Sequence, residues 1–261
     1  MSLHSSRWHQ MISNACFGLL PAIPYCSADD AACNGIAVNA KNLSAAASAE
    51  SQLAFSEATF EIPCGCRTAL IGANGSGKST LLRVLAGLTP SVLGDVAVLG
   101  SEPKLGRSRI AYLAQKPQFN ADVPLQLRRL VQMGTYAHHG WFEECEHGDV
   151  AVDRALERLG LLELADRSVH SLSGGQLQRG LLARATVQGA EVLLLDEPFA
   201  ALDQGSREIV ESFLFNPENN FTVVMATHDP ADSQRFDRVL ELKNGRLTTT
   251  HACAGHTHRH A

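Results

Sequence analysis

Aromatic side chains are sparse: the 261 residues include two tryptophans, three tyrosines and ten phenylalanines. Apolar residues still make up 45% of the chain, enough for a substantial core, so the scarcity does not exclude a folded domain. No apolar run approaches the roughly 18 residues needed to cross a bilayer, so a membrane crossing would have to come from another polypeptide. Acidic and basic residues are interspersed. The formal net charge of −5 gives no electrostatic basis for wrapping nucleic acid or coating an anionic membrane. Paired CxxC spacing is absent from the seven cysteines. Cys16, Cys26 and Cys33 are far apart, and Cys64 and Cys66 flank a single residue, which excludes the usual structural zinc framework and reads as reduced thiols. No internal repeat is present, so the chain carries one functional unit.

The two ends differ from the middle. Arg7, the apolar patch Phe17–Leu20 and small residues near Ala28 share features with a secretion signal, but Asn14, Pro21 and Pro24 interrupt the patch. Residues 1–35 are read as a leader outside the folded domain, unstructured or translated from a start upstream of the natural one. At the other end His251, Cys253, His256, His258 and His260 crowd into residues 251–261. Imidazole and thiolate at that density can bind zinc or copper; the plain alternative is a polar tail.

Between the ends, Ile36–Leu43 and Ala58–Ile62 alternate apolar and polar residues as strands do, with a turn at Pro63–Gly65. Thr68–Ile71 is a short apolar run entering a glycine-rich loop, and Ser79–Leu88 carries Leu81, Leu82, Leu85 and Leu88 at helical spacing. Val96–Leu99 and Ile110–Leu113 read as strands. From Val123 to Gln188 the pattern is helical, clearest at Val152–Leu159 and Leu177–Val187. Strand character returns at Val192–Leu195 and Thr222–Ala226, with a helix over Ser206–Leu214 between them. Val239–Leu242 before Asn244-Gly245 predicts a closing hairpin. Strands alternating with helices predict an α/β parallel sheet, and the helix-only stretch predicts an inserted helical lobe over about 116–189.

Gly72-Ala73-Asn74-Gly75-Ser76-Gly77-Lys78-Ser79 fits the pattern GxxxxGK(S/T) and lies between a predicted strand and a predicted helix. Glycines there let backbone N–H groups approach phosphates, and the helix N-terminus adds favourable dipole charge. Lys78 would neutralise the β- and γ-phosphates, the Ser79 hydroxyl would meet magnesium, and Thr80 follows in the same phosphate-binding set. Val192-Leu193-Leu194-Leu195-Asp196-Glu197 is an apolar strand ending in two acids. Asp196 can reach magnesium from the sheet's carboxyl edge, and Glu197 is placed to polarise an attacking water.

Leu172-Ser173-Gly174-Gly175-Gln176-Leu177-Gln178-Arg179 resembles the signature motif of ABC ATPases. Other marks of that family follow in its order. Gln115 in Tyr112-Leu113-Ala114-Gln115 resembles the Q-loop, Ala201-Leu202-Asp203 the D-loop, and His228 in Ala226-Thr227-His228-Asp229 the switch histidine. The resemblance runs from about Ile36 to Leu247, within an ATPase domain taken as 36–250. It implies a P-loop NTPase (RecA-like) fold with an antiparallel β subdomain, ATP and Mg2+ as ligands, and Glu197, His228 and Gln115 as the catalytic set. Gln115 would join Ser79 and Asp196 at magnesium. The family also implies a head-to-tail homodimer, in which Ser173, Gly174, Gly175 and Gln176, with Asp203, meet the ATP held by the partner's P-loop. One departure stands out. The family's adenine-stacking aromatic is replaced by Ala45, Ala46 and Ala47 after Asn42-Leu43-Ser44, and Phe55 suits a core position, so ATP is expected to bind more weakly and with looser base selectivity.

Gln132-Met133-Gly134-Thr135-Tyr136, followed by His138, Gly140, Trp141 and Phe142, is similar to the same stretch of metal-ion importer ATPases of the zinc, manganese and iron-chelate groups. Leu161–Arg167 and Glu197-Pro198-Phe199-Ala200 are similar as well. That branch implies membrane permease subunits and a solute-binding protein as partners, a place on the inner face of the cell membrane, and no nucleic acid. The alternative is a soluble ABC ATPase serving repair, translation or cluster assembly. Because the leader contributes no motif, a chain starting at Ile36 is expected to melt at the same temperature as the full chain and hydrolyse ATP at the same rate. A midpoint lower by many degrees would instead put the leader in the core.

Overall fold

The computed structural model describes residues 35–48, 51–137, 148–200, 202–228, 233 and 235–251. The expected leader, the tail beyond His251 and the stretch from His138 to Phe142 lie outside the described residues. The described residues divide into two compact units: one spans 35–117, 192–200 and 221–251, the other 118–191 and 202–220.

The first unit holds two sheets. β1 (Ile36–Ala46), β2 (Leu53–Pro63) and β4 (Leu93–Val98) form a three-stranded antiparallel sheet in the order β2-β1-β4. In β2 the alternation read from the sequence is real: Ala58, Phe60 and Ile62 are buried and Thr59 and Glu61 face out. Phe55 is buried too, as expected of a core residue. The second sheet runs β5-β6-β7-β3-β8-β9, from β3 (Arg67–Ile71), β5 (Ile110–Leu113), β6 (Val192–Asp196), β7 (Thr222–Thr227), β8 (Arg238–Lys243) and β9 (Arg246–His251). All its pairs are parallel except β8 with β9, which close through Asn244 and Gly245, both at positive φ. Strands β6 and β7 are buried at every position, as central parallel strands covered on both faces must be.

Helix α1 (Lys78–Leu85) lays Leu81, Leu82 and Leu85 into a core shared with Phe60, Leu70, Leu194, Val224 and Leu240. It stops three residues before the predicted end. Gly87 takes a left-handed conformation, its N–H donates to the Val84 carbonyl, and the Leu88 N–H donates to the Arg83 carbonyl. This Schellman pairing satisfies the last carbonyls and turns Leu88 out to solvent.

The second unit is helical: α2 (Leu127–Gln132), α3 (Gly148–Arg158), α4 (Gly174–Val187) and α5 (Gln204–Phe215), with 3-10 turns at Met133–Ala137, Leu162–Leu164 and Val169–Ser171. Residues Val123–Gln126, read as helical from the sequence, are not. The Val169 N–H donates to the Leu125 carbonyl and the Leu127 N–H to the Arg167 carbonyl, so this segment pairs with a distant stretch before α2 begins. Leu127, Leu130, Val152, Leu156, Leu182 and Val210 are buried in this unit. The unit also takes in α5, which the sequence reading had placed outside its helical lobe.

Gly134 brings the turn after α2 against the end of α4. A Cβ there would stand 2.5 Å from the Arg184 carbonyl oxygen and 2.9 Å from the Gln188 nitrogen, both backbone atoms that cannot rotate away. Gly134→Ala is therefore expected to cost about 1–3 kcal/mol through overpacking, read as a fall of several degrees in the calorimetric midpoint. An unchanged midpoint would show that the turn can lift off α4 freely.

Candidate nucleotide site

Sheet register assembles the site. Ile71 pairs with Thr227, Ala226 with Asp196, and Leu195 with Leu113. Strands β3, β7, β6 and β5 thus end at one edge, and the residues that follow them emerge side by side: Gly72, His228, Glu197 and Gln115. This is the carboxyl edge where open parallel sheets bind ligands.

The loop after β3 is tightly wrapped. A Cβ on Gly72 would meet the Leu242 carbonyl oxygen at 2.4 Å and Ser76 Oγ at 2.7 Å, so only glycine fits. Gly77, which precedes α1, has φ 105° and lies against the backbone of Ala54. Lys78 is buried, and its Nζ donates to the carbonyls of Gly72 (2.7 Å) and Ala73 (3.1 Å), closing the loop around the ammonium. Burial lowers the Lys78 pKa, and the negative charges of Glu197 and Asp196 oppose that shift. Ala73, Asn74 and Gly75 are exposed at the loop's tip, and Thr80 is buried in α1. Ser76 Oγ is buried with no hydrogen-bond partner. A buried hydroxyl rarely stays unpaired, and inside a cradle of backbone donors it is suited to a phosphate oxygen.

Asp196 and Glu197 are adjacent in sequence but differently held. Asp196 is buried and accepts from Ser79 Oγ at 3.1 Å. It also accepts from the Tyr112 hydroxyl at 3.3 Å. Tyr112 was missed as a site residue, although it was visible as a polar-tipped aromatic in an otherwise apolar strand. Glu197 sits at φ 49°, a left-handed conformation costly for a residue with a side chain, with its N–H bonded to the Ala226 carbonyl at 3.1 Å. Gln115 Nε2 donates to Glu197 Oε2 at 2.7 Å, and His228 Nδ1 lies 3.6 Å from Glu197 Oε1. The structure thus brings Gln115, Glu197 and His228 together, and Ser79 with Asp196. Gln115, expected with the magnesium pair, bonds to Glu197 here.

The signature residues and Asp203 belong to the helical unit. Ser173 caps α4: its Oγ accepts from the Gln176 N–H at 3.2 Å while its own N–H donates to Gln176 Oε1 at 3.0 Å. This reciprocal cap satisfies two donors at the helix start and ties up the glutamine side chain. Ser173 and Gly174 are exposed, whereas Gly175 is buried so closely that a Cβ would meet Ser206 Oγ at 2.5 Å. Asp203 caps α5 by accepting from the Ser206 N–H at 2.9 Å; hydrogen bonds from Ser206 hold its carboxyl below the usual range. Arg179 is buried behind them and donates to the Leu159 carbonyl at 2.8 Å. Among the described residues no cluster of three or more His, Cys, Asp and Glu could hold a metal ion, and no helix is long and apolar enough to cross a membrane.

Lys78→Ala removes the one ammonium inside the phosphate loop and leaves the Gly72 and Ala73 carbonyls without their donor. Equilibrium binding of a fluorescent ATP analogue is expected to weaken at least about tenfold, the cost of losing one charge-assisted contact. Wild-type affinity in this variant would remove Lys78 from the phosphate site.

A family model described as ABC transporter matches residues 55–200. The manganese transport system ATP-binding protein MntB of Bacillus subtilis is 35% identical over 187 residues, covering 70% of this chain and 75% of that protein. The zinc transport system ATP-binding protein TroB of Treponema pallidum is 37% identical over 184 residues, 69% of each chain. Among solved structures, an inward-facing metal-chelate type ABC transporter matches with a TM-score of 0.72 and 32% identity over 83% of both chains. The dimeric post-hydrolysis state of an ATP-binding cassette bound to ADP and phosphate matches with a TM-score of 0.71 and 26% identity, over 81% of this chain and 98% of that one. With more than half of its length matched by the family model and its relatives matched over more than two thirds of theirs, this chain belongs to the ABC transporter family as an ATP-binding, ATP-hydrolysing subunit.

Proposed function

We propose that this chain is the motor subunit of a metal-ion importer and couples ATP hydrolysis to a membrane permease that carries manganese, zinc or a related ion. The observation that carries the motor reading is the junction at Glu197, a residue in a left-handed backbone conformation just after β6 whose carboxylate is held by Gln115 and faced by His228. The cargo reading is supported by relatives named for manganese and zinc transport.

In this reading, the loop 72–77 and Lys78 hold the β- and γ-phosphates, with Ser76 Oγ as a further contact. Ser79 and Asp196 would hold magnesium, which supplies charge neutralisation on the phosphate oxygens when bound. The donor set fits that ion. The Ser79 hydroxyl donates its hydrogen bond to Asp196, so the lone pairs of its oxygen and the free capacity of the carboxylate are what remain for a cation. Glu197 orients and deprotonates the attacking water, Gln115 keeps its carboxylate aimed, and His228 hydrogen-bonds the γ-phosphate. In a head-to-tail homodimer, exposed Ser173 and Gly174, at the N-terminus of α4, meet the partner's ATP with a hydroxyl, backbone donors and dipole charge. Loss of the shared γ-phosphate contacts on hydrolysis reopens the dimer and passes the motion to the permease. A peripheral position on the inner face of the membrane, with a solute-binding protein on the other side, follows from this reading.

Glu197→Gln keeps the shape of the site and removes the base. Turnover is expected to fall about 10²–10⁴-fold while ATP binding persists, so the variant should accumulate as an ATP-bound dimer in size-exclusion chromatography. In cells carrying the permease, uptake of radioactive manganese and zinc should fall with it. Uptake of every metal tested at the wild-type rate, alongside lost ATPase activity, would defeat the importer assignment and leave the motor standing.

A further inference from the structure

Asp196 has both carboxylate oxygens engaged, by groups on two different elements. Oδ1 accepts from Ser79 Oγ at 3.1 Å and Oδ2 from the Tyr112 hydroxyl at 3.3 Å. Tyr112 reaches it from β5, where it pairs with Leu194 on β6, so its long side chain runs along the strand to the acid two residues on. Arg83, on α1, lies close enough for its positive charge to act on the same hydroxyl. An ionised carboxylate can only accept, so the Tyr112 hydroxyl donates to Asp196. A tyrosine that served the core alone would need no such partner at its tip, and Phe at this position would fill the same space.

We infer that Tyr112 is a positioning residue for magnesium: its hydroxyl locks the rotation of the Asp196 carboxylate so that Oδ1 and Ser79 Oγ present their lone pairs to the ion. The inference rests on the proposed role of Ser79 and Asp196. Its physical basis is that an outer hydrogen bond fixes the orientation of a ligand that could otherwise rotate, and such partners commonly govern metal affinity. The two hydrogen bonds also tie three elements to one carboxylate: α1 through Ser79, β5 through Tyr112, and β6 through Asp196 itself. Without the hydroxyl, the carboxylate keeps only the Ser79 bond and gains a free torsion.

The test is Tyr112→Phe in the full chain, with binding of a fluorescent ATP analogue measured in EDTA and then titrated with Mg2+, and Mn2+ binding in the presence of nucleotide followed by electron paramagnetic resonance. The expected result has three parts. Metal-free nucleotide affinity stays within twofold of wild type, the Mg2+ concentration at half-saturation rises about tenfold, and the Mn2+ affinity falls by the same factor. Nucleotide-free thermal midpoints of the two proteins should agree within a few degrees, since the ring is retained. A Phe variant whose Mg2+ and Mn2+ dependence equals wild type would overturn the positioning role while leaving Ser79 and Asp196 in place. Equal loss of affinity with and without metal would also overturn it, in favour of a packing role. If wild type itself binds nucleotide without any dependence on Mg2+, the magnesium reading of Ser79 and Asp196 fails, and the role of Tyr112 fails with it.

Discussion

The parallel register of β5, β6, β7 and β3 is the constraint on which the rest depends. These strands pair without a shift, and the two in the middle are buried along their whole length, so sliding one by a residue would carry apolar side chains out of the core and break the ladder with two neighbours. Their carboxyl ends therefore stay level. Every chemical group of the candidate site in this unit hangs from that edge: the phosphate loop from β3, the two acids from β6, Gln115 from β5 and His228 from β7. The core beneath is large and apolar, while the edge is polar and strained. That division is typical of a scaffold that holds reacting groups by rigidity elsewhere.

Charge at this edge is managed by pairing within the loop and between neighbours. Lys78 is buried and would be costly there alone, but two carbonyls of its own loop accept hydrogen bonds from its ammonium and two carboxylates supply opposite charge nearby. Asp196 is satisfied by Ser79 and Tyr112, and Glu197 by Gln115 and its own backbone bond to β7. Among the described residues, Ser76 Oγ is one of the buried polar atoms without a partner, and it lies inside the cradle. On the proposed reading, a buried hydroxyl without an internal partner at this place is open to a phosphate oxygen.

The helical unit braces the start of α4 from within. The cap formed by Ser173 and Gln176 holds the first turn of α4, and the close approach of Gly175 to Ser206 fixes it against α5, whose own start is capped by Asp203. Arg179, buried one turn further, pins α4 to the carbonyl end of α3 through Leu159. Ser173 and Gly174 remain exposed on this braced corner. Glycine is required at 175 by crowding, whereas at 174 the exposed backbone is what a small residue uncovers.

Much of this protein could be read without coordinates, because local patterns carry local physics. Alternation in β2, the apolar runs of β6 and β7, the Asn244-Gly245 hairpin and the phosphate loop each follow from short-range sterics and burial, and the order of motifs named the family. Readings went astray where distant chain segments compete. Val123–Gln126 has helical spacing but bonds to residues 167–169, and the α1 helix ends early because Gly87 can adopt the left-handed turn that captures the last carbonyls. The tertiary structure alone decided that Gln115 meets Glu197 and that Tyr112 reaches Asp196. Spacing along the chain cannot encode such contacts. They depend on which strands become neighbours and in what register, and that is set by burial of the whole sheet at once.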